Sequence, residues 1–276
     1  MSALDPKQTF EGLTSAADFL SRIGHGTQHV LGVVLSGLAG WLRAEDAMRA
    51  STLLGGLAAF LVHASPLQAQ VTVRTAEEGQ DLVRAAISSA QARMSELPPP
   101  TTDSEKLIRM ADLEQAPRLV LSELDLSALS EAEKQSMWAS IWGQIGPIDR
   151  ENQTLLLQML PAEGWFPISR YGREAAMAAF LIVQHADQSL WRRFLPTIEA
   201  MVKTAEAEGP TYALMYDRLA LSEGRPQRYG SQMRCVNGQY VVSEPVEDMA
   251  QIDARRSSVG LGTLEDNLKR FAGRGC

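Results

Sequence analysis

The chain of 276 residues is long enough for one ordinary domain with additional sequence, or for two small domains, and 45% of its residues are apolar. Its 26 basic and 33 acidic side chains give a net charge of −7, which argues against broad binding to a nucleic-acid backbone. Two cysteines without a C-x-x-C pair exclude a disulfide-built scaffold and a thiolate zinc site. Composition therefore predicts a mildly acidic globular protein.

Residues 48–69 have the three-part layout of a secretory signal peptide. Arg49 follows a methionine, an apolar core runs over residues 51–64, Ser65-Pro66 interrupts it, and Ala69 supplies the small residue before a cleavage point. The arginine would stay on the cytoplasmic side while the apolar core enters the membrane. We therefore expect translation to start at Met48, with residues 1–47 an extension upstream of the true start.

The export hypothesis predicts a periplasmic or secreted protein. After cleavage no stable membrane span is expected, and the earlier apolar run over residues 30–42 is too short to cross a bilayer. In an oxidising compartment Cys235 and Cys276 can pair. The alternative is a cytoplasmic chain that starts at Met1, in which residues 48–69 form a buried helix; a signal anchor is the other option for that segment.

The next segment, residues 70–102, is predicted to be a helix followed by a proline linker. Glu77–Leu97 has apolar residues on one helical stripe, and Pro98–Thr102 cannot continue a helix. Residues 103–276 then form a single, mainly helical domain, whose first helix we expect Asp103 to cap.

Within this domain the helix signals follow one another closely. Ser130 and Glu133 have the spacing of a capping box, and a separate helix is expected to begin at Asp149 or Arg150. Gly172–Gln188 is apolar on nearly all sides, which predicts a central helix. Further helices are expected at Ser189–Glu208, Thr211–Leu221, Val246–Ser257 and Thr263–Phe271.

A small β-hairpin is predicted between these helices. Gln227–Cys235 and Tyr240–Val242 are separated by an Asn-Gly pair at 237–238, a strong signal for a two-residue turn. On such a strand Gln227 and Tyr229 would share one face and Gln232 the other, unless Gly230 introduces a bulge. The expected fold is mainly α: a multi-helix globular domain with one small β-hairpin near the C-terminal third.

The motifs of several common enzyme classes are absent from the sequence. It contains no G-x-S-x-G elbow, phosphate loop, dinucleotide fingerprint or H-E-x-x-H pair. Of the four histidines, only His185 follows the predicted signal peptide. A multi-histidine zinc site is then excluded, and we expect no metal and no cofactor.

Polar residues recur where a plain helical core would not need them. They stand at Glu114-Gln115 and Arg118, Asp149 and Asn152, Gly164-Trp165, Gln184–Asp187, Asp217-Arg218, Gln227–Gln232 and Arg256–Leu261. In this order they resemble the bacterial family called domain of unknown function 6624, over roughly residues 103–272. Two departures from its pattern are Glu114 in place of an aspartate and Ser231 in place of a threonine. The resemblance implies a shared fold and a shared site, but no known activity.

His185, Asp187 and Asp217 are the candidate catalytic residues. His185 has the ordinary pKa nearest neutrality and can serve as a general base, or it can instead cap the C-terminus of its helix. On a helix His185 and Asp187 point to different sides, so they do not automatically form a dyad. The candidate ligand-binding residues are Arg218, Gln227, Tyr229, Gln232 and Arg256.

Each ligand-binding candidate also has a structural explanation. Arg218 can hold a carboxylate or phosphate through its guanidinium, or tie its helix to a neighbour through the Asp217-Arg218 pair. Buried glutamines need hydrogen-bond partners, which either a polar ligand or loop backbone can supply. Asp253 and Arg256 have the spacing of a surface ion pair.

Two functions remain open from sequence. The first is an envelope or periplasmic domain that binds a small polar molecule or peptide, with hydrolase-like chemistry, and that binds no nucleic acid. The second is a non-catalytic structural or protein-interaction domain, in which the same polar residues form a buried network. An open cleft would favour the first, and full burial of the polar groups would favour the second.

Overall fold

The computed structural model describes residues 71–271, and most of this part of the chain is helical. The predicted extension, the predicted signal peptide and Cys276 lie outside the described residues. No helix in the described part is both long and apolar enough to cross a membrane. The helices are α1 (Ala76–Glu96), α2 (Asp103–Glu123), α3 (Glu131–Gln158), α4 (Ile168–Tyr171), α5 (Arg173–Gln184), α6 (Gln188–Val202), α7 (Gly209–Ser222), α8 (Ile252–Ser258) and α9 (Leu264–Phe271).

The first three helices share one hydrophobic core. Val83 and Ile87 of α1 pack with Met137, Ile141 and Ile145 of α3, and all five side chains are buried. Two short strands, β1 (Val71–Thr72) and β2 (Leu124–Asp125), pair in parallel beside this core. This pairing connects the start of the described chain to the end of α2.

Helix α5 is central, as its apolar composition predicts. Nearly all of its side chains are buried, and it packs against α2, α3, α4 and α6. Helix α6 pairs with α7 beyond it. Trp165, Phe166 and Phe194 are buried, and the ring of Trp165 contacts the rings of the other two. The prediction of a mainly α fold is confirmed.

The predicted hairpin is present, but it is shorter than expected. Strands β3 (Met233–Val236) and β4 (Gln239–Val242) are antiparallel, and Asn237 and Gly238 have positive φ angles of 53° and 77°. The prediction of a strand starting at Gln227 is wrong. Gln227 instead makes a single parallel bridge to Val246, and residues 228–232 form a loop.

The capping predictions are partly confirmed. Ser130 and Glu133 form the expected capping box at the start of α3. For α2, however, the cap is Thr102, whose hydroxyl accepts the Glu105 N–H at 3.1 Å, and Asp103 is already the first helical residue. Thr102 was part of the predicted linker, and an exposed hydroxyl there caps as well as a carboxylate would.

The expected helix start at Asp149 is wrong, because α3 continues from Glu131 to Gln158 without a break. Pro147 lies inside it, and a proline normally interrupts a helix by removing one N–H and crowding the carbonyl four residues earlier. The buried stripe formed by Ile141, Ile145, Asn152 and Leu156 passes across this position. Tertiary packing of that stripe therefore maintains the helix.

Candidate functional site

A buried polar cluster forms where α2, α3 and the end of α5 meet. Helix α2 supplies Glu114 and Arg118, one turn apart, and α3 supplies Asp149 and Asn152 on one face. His185 is the residue at which α5 ends, and its side chain is only 3% exposed. We call these five residues the dyad cluster, after the pair formed by Glu114 and His185.

Glu114 is the centre of the dyad cluster. One carboxylate oxygen contacts Nδ1 of His185, and the other accepts a hydrogen bond from Nδ2 of Asn152 at 3.0 Å. Asn152 also donates to the carbonyl oxygen of Met110 at 2.8 Å, so its amide is held by two acceptors on α2. Glu114 is therefore fixed in position, and it fixes the imidazole ring of His185 in turn.

Arg118 joins Glu114 to Asp149. Its Nη1 donates to the backbone carbonyl of Glu114 at 2.8 Å, and its Nη2 donates to Oδ2 of Asp149 at 2.7 Å. The second oxygen of Asp149, Oδ1, is buried and has no hydrogen-bond partner in residues 71–271. The same holds for Nε2 of Gln115, the neighbour of Glu114. Unpaired buried polar atoms are costly, so each requires an explanation.

Burial drives both members of the dyad towards their neutral forms. It raises the pKa of Glu114 to about 7, although Arg118 and Asn152 act in the opposite direction. Burial also lowers the pKa of His185 well below its usual 6.5, and the charges of Arg118 and Arg218 add to this effect. A neutral imidazole with Nδ1 engaged presents Nε2, which forms no hydrogen bond within residues 71–271.

Arg218 on α7 contacts the loop before the hairpin. Its guanidinium lies 5.9 Å from the centre of the Trp191 ring, and its Nε donates to Oε1 of Gln232 at 3.5 Å. Burial lowers the pKa of Arg218 to about 10. The positive charge of Arg218 also lowers the pKa of His185.

Asp217, next to Arg218, has a different role. Its carboxylate accepts backbone N–H groups from Arg228 at 2.6 Å, Tyr229 at 3.1 Å and Ser231 at 2.9 Å. Asp217 is fully buried, and burial raises its pKa while these N–H groups lower it. The carboxylate thus determines the path of the 228–232 loop.

Gln227 and Gln232 also act on this loop rather than on opposite faces of a strand. Nε2 of Gln227 contacts the carbonyl oxygens of Gln232, at 3.2 Å, and of Ser243, and Oε1 of Gln227 accepts the Gln232 N–H at 3.0 Å. The expected alternation of the two side chains does not occur, because residues 228–232 form no strand and the backbone turns at Gly230, the position named as the exception, with a φ of +60°.

Arg256 and Asp253 do not form the expected surface pair. Arg256 is buried and donates from Nε to Gly262 O at 2.6 Å and from Nη1 to Tyr229 O at 2.8 Å. Asp253 accepts the backbone N–H of Leu264 at 2.7 Å. Tyr229 is buried, with its ring against Tyr212 and Tyr216.

Asp187 is exposed at the N-terminus of α6. Its carboxylate accepts the N–H groups of Ser189 at 2.8 Å and Leu190 at 3.4 Å, as a helix cap does. His185 and Asp187 therefore have separate partners, in agreement with the expectation that their spacing does not make them a dyad.

Apart from Asp187, which caps α6, the candidate residues divide by their contacts. His185 belongs to the dyad cluster, and Arg218 contacts Gln232. Asp217, Gln227, Tyr229 and Arg256 hold the hairpin loop together. The other members of the dyad cluster, Glu114, Arg118, Asp149 and Asn152, were not among the predicted site residues. They do belong to the ordered motif that resembles the family, and that motif was the sequence signal that pointed to them. No group of three or more potential metal ligands is found among residues 71–271.

Comparison with known proteins gives one match. No curated protein and no solved structure matches the chain. A family model does match, that of domain of unknown function 6624, described as a family of unknown function, and it covers residues 104–273. This range contains the dyad cluster, Arg218 and the complete hairpin loop. The chain belongs to this family.

Proposed function

We propose that the dyad cluster and Arg218 bind a small polar ligand and that His185 is a general base there, in a hydrolase-like reaction. Above its pKa of about 7, ionised Glu114 would accept a hydrogen bond from Nδ1–H of His185. Nε2 would then carry no proton and would accept one from a water molecule that attacks the ligand. Glu114 and His185 have the contacts of the carboxylate–histidine pairs of hydrolytic enzymes. In this proposal Asp187 and Asp217 are not catalytic, and their carboxylates instead accept hydrogen bonds from backbone N–H groups.

The observation that carries the proposal is the set of polar atoms left without partners. Oδ1 of Asp149 is buried without a hydrogen-bond partner in residues 71–271, and Nε2 of His185 forms no hydrogen bond there. A purely structural network would be expected to satisfy the buried oxygen of Asp149. A bound polar molecule that donates to Asp149 and contacts Nε2 would satisfy them.

The alternative function is a non-catalytic domain in which the cluster only stabilises the fold. The observation that favours it is burial, since the side chains of Glu114, Arg118 and His185 are 0 to 3% exposed. The outer boundary of the cluster is more open, because the side chain of Asp149 is 12% exposed and Gln232 is half-buried. The two functions therefore differ in whether a small molecule can reach Nε2.

Diethyl pyrocarbonate, which acylates accessible neutral imidazole, tests this difference without a known substrate. We expect the folded chain to be modified at His185, as read by peptide mass spectrometry, and Arg218→Lys to leave the modification in place. The unfolded chain gives the fully reactive reference. A ring that reacts only after unfolding would support the structural alternative.

Turnover provides the second test. The full chain and His185→Gln are compared on a panel of nitrophenyl esters and nitroanilides, with Asp187→Asn as a matched control outside the site. Loss of a general base costs about 10² to 10⁴ in rate, so we expect His185→Gln to lose at least about a hundredfold and the control to keep its rate. Equal rates in wild type and His185→Gln, with both folded by circular dichroism, would contradict catalysis by His185.

We also propose that the protein works in the cell envelope or outside the cell, after export through the signal peptide at residues 48–69. The support is the order of basic residue, apolar core, breaker and small residue in the sequence. Mass spectrometry of the native protein tests this, and the expected N-terminus is Gln70. Peptides from residues 1–47 recovered in the cytosolic fraction would contradict export.

A further inference from the structure

Helix α9 has an apolar side but buries little surface of its own. Leu264, Leu268 and Phe271 recur on one side of this eight-residue helix, and each of them is only half-buried. A helix of this length is not stable alone in water, so contacts with the rest of the chain must keep it formed. The two ends of α9 obtain these contacts in different ways.

The start of α9 is attached to α8 and to the 228–232 loop. Asp253 of α8 accepts the N–H of Leu264 at 2.7 Å, and Arg256 of α8 donates to the carbonyl oxygen of Gly262 at 2.6 Å. A Cβ atom on Gly230 would lie 3.4 Å from Cδ1 of Leu264, so this side chain packs against the loop. Hydrogen bonds and packing therefore fix this end of the helix.

The other end of α9 lies against the hairpin, beside Cys235. The ring centres of Phe271 and Tyr240 are 5.1 Å apart. Tyr240 of β4 stands directly opposite Cys235 of β3. Residues opposite each other on antiparallel strands have Cα atoms about 4.5 to 5.5 Å apart, and their side chains share one face. Phe271 thus reaches the hairpin on the face that carries the exposed Cys235.

The chain contains one possible partner for Cys235 within itself. No cysteine in residues 71–271 is free, and Cys235 is disulfide-bonded. The only other cysteine of the chain, Cys276, stands five positions after Phe271 and lies outside the described residues. Five extended residues span about 17 Å, and the Cα atoms of a disulfide are about 4.4 to 6.8 Å apart. Cys276 is therefore within reach of Cys235.

We propose that Cys235 and Cys276 form an intramolecular disulfide, and that this bond is a redox-dependent cross-link that holds α9 on the hairpin. Two thiols lose two protons and two electrons and gain one S–S bond. A disulfide co-reactant, such as oxidised glutathione or the disulfide of an oxidoreductase, accepts them and becomes two thiols. Reduction reverses the step and leaves the end of α9 with only the Phe271–Tyr240 contact. The proposed ligand site takes no part in this cross-link.

Peptide mapping of the native protein identifies the pairing. The protein is incubated with oxidised glutathione, its free thiols are alkylated under denaturing conditions, and trypsin cuts after Arg234, Arg255 and Arg274 among other positions. We expect peptide 235–255 to be joined to Gly275-Cys276, and the chain to stay monomeric on a non-reducing gel. Two alkylated cysteines, a glutathione adduct or a cross-link between two chains would overturn the disulfide.

Amide hydrogen exchange tests whether the cross-link holds α9. We expect deuterium uptake in Leu264–Phe271 to become at least about tenfold faster after reduction, because local opening of α9 then lacks a covalent restraint. Uptake in α5 should not change. Cys276→Ser, which leaves the hairpin sequence intact, should show the same fast uptake without a reductant. Equal uptake of α9 in the oxidised and reduced chains would overturn the holding role.

The contact between Phe271 and Tyr240 is tested by the equilibrium between the cross-link and glutathione. We expect Phe271→Ala to lower the equilibrium constant for disulfide formation at least about threefold, because the aromatic contact that brings Cys276 to the hairpin is lost. Lys269→Ala is the control, since the ion pair of Lys269 with Glu265 is exposed, and it should keep the wild-type constant. A wild-type constant in Phe271→Ala would show that α9 does not position Cys276, and would overturn the proposed geometry.

Discussion

The buried charged residues of this protein differ in what they hold. Glu114 contacts His185 and Arg118 donates to Asp149 across helices, whereas Asp217 and Arg256 bind backbone groups of loops. Asp217 and Arg256 take the place of regular secondary structure in these loops, because a charged side chain satisfies backbone N–H or C=O groups that no strand or helix pairs. Removing such a residue leaves several backbone groups buried and unpaired.

Asp217→Asn tests this role. The amide keeps the size of the carboxylate but places an NH₂ group against loop N–H donors, so we expect a loss of about 2 to 3 kcal/mol in the free energy of unfolding. Urea unfolding measures it. The matched control is Asp81→Asn, whose exposed ion pair with Arg84 should contribute less than about 1 kcal/mol. Equal losses in the two variants would contradict the assigned role.

The Glu114–His185 pair predicts an unusual dependence of stability on pH. The pKa of Glu114 rises from 4.5 when unfolded to about 7 in the folded protein, and that of His185 falls well below its unfolded value of 6.5. Just below pH 6.5 the unfolded pair holds one proton, on His185, and the folded pair holds one, on Glu114. Because the counts are equal, the contributions of the two residues cancel in the wild type.

Single substitutions should reveal the two opposing slopes. In His185→Gln only folded Glu114 holds an extra proton, so stability falls as pH rises from 4.5 towards 7, by at most about 1.4 kcal/mol per pH unit. In Glu114→Gln only unfolded His185 holds the extra proton, so stability rises as pH rises towards 6.5. Urea midpoints at intervals across this range measure both slopes relative to wild type. Slopes of the same sign would contradict the pairing.

At the scale of elements, one helix contact leaves no room for a side chain. A Cβ atom on Gly209, at the start of α7, would overlap the backbone carbonyl of Val259 at the end of α8. Backbone cannot move aside as a flexible side chain can, so this contact requires glycine. Gly143 in α3, in contrast, has nothing within 4 Å of such an atom.

These two glycines should respond to alanine in opposite directions. We expect Gly209→Ala to cost about 1 to 3 kcal/mol through overpacking, and Gly143→Ala to stabilise the protein by up to about 1 kcal/mol through helix propensity. Thermal melting monitored at 222 nm compares them. A destabilised Gly143→Ala would show that α3 needs flexibility next to Pro147.

Elements with local signals could be predicted from sequence. The capping box at Ser130 and the Asn237-Gly238 turn involve residues only a few positions apart, and both are observed. The continuation of α3 through Pro147 could not be predicted, because the buried stripe that maintains it packs against other helices. The parallel pairing of β1 with β2 likewise joins two-residue segments that carry no periodic signal of their own.

The site was only partly predictable for the same reason. His185 and Arg218 stood out as polar residues next to apolar helices, but the contact between Glu114 and His185 spans 71 positions. Only the ordered motif indicated that they belong together, and it did not separate the dyad cluster from the residues that organise the loop. That separation needed the contacts of each side chain.

At the scale of the whole described chain, α1 is an integral part of the core. Its residues Val83, Ile87 and Ala90 are buried, although α1 lies outside the range of the family match. A chain shortened to begin at Asp103 should therefore expose the apolar side of α3. We expect it to bind the dye 8-anilinonaphthalene-1-sulfonate strongly and to melt without a cooperative transition, whereas a chain beginning at Gln70 should melt cooperatively. Cooperative melting of both chains would contradict this prediction.

The carboxylate of Asp217 has a consequence for amide hydrogen exchange. Residues 228–231 form no helix or strand, and such segments usually exchange their amide hydrogens rapidly. The N–H groups of Arg228, Tyr229 and Ser231 are nevertheless bonded to a buried acceptor on α7. Deuterium uptake at these three amides should therefore be as slow as in α7 itself, and the loop and the helix should open together in one unfolding step.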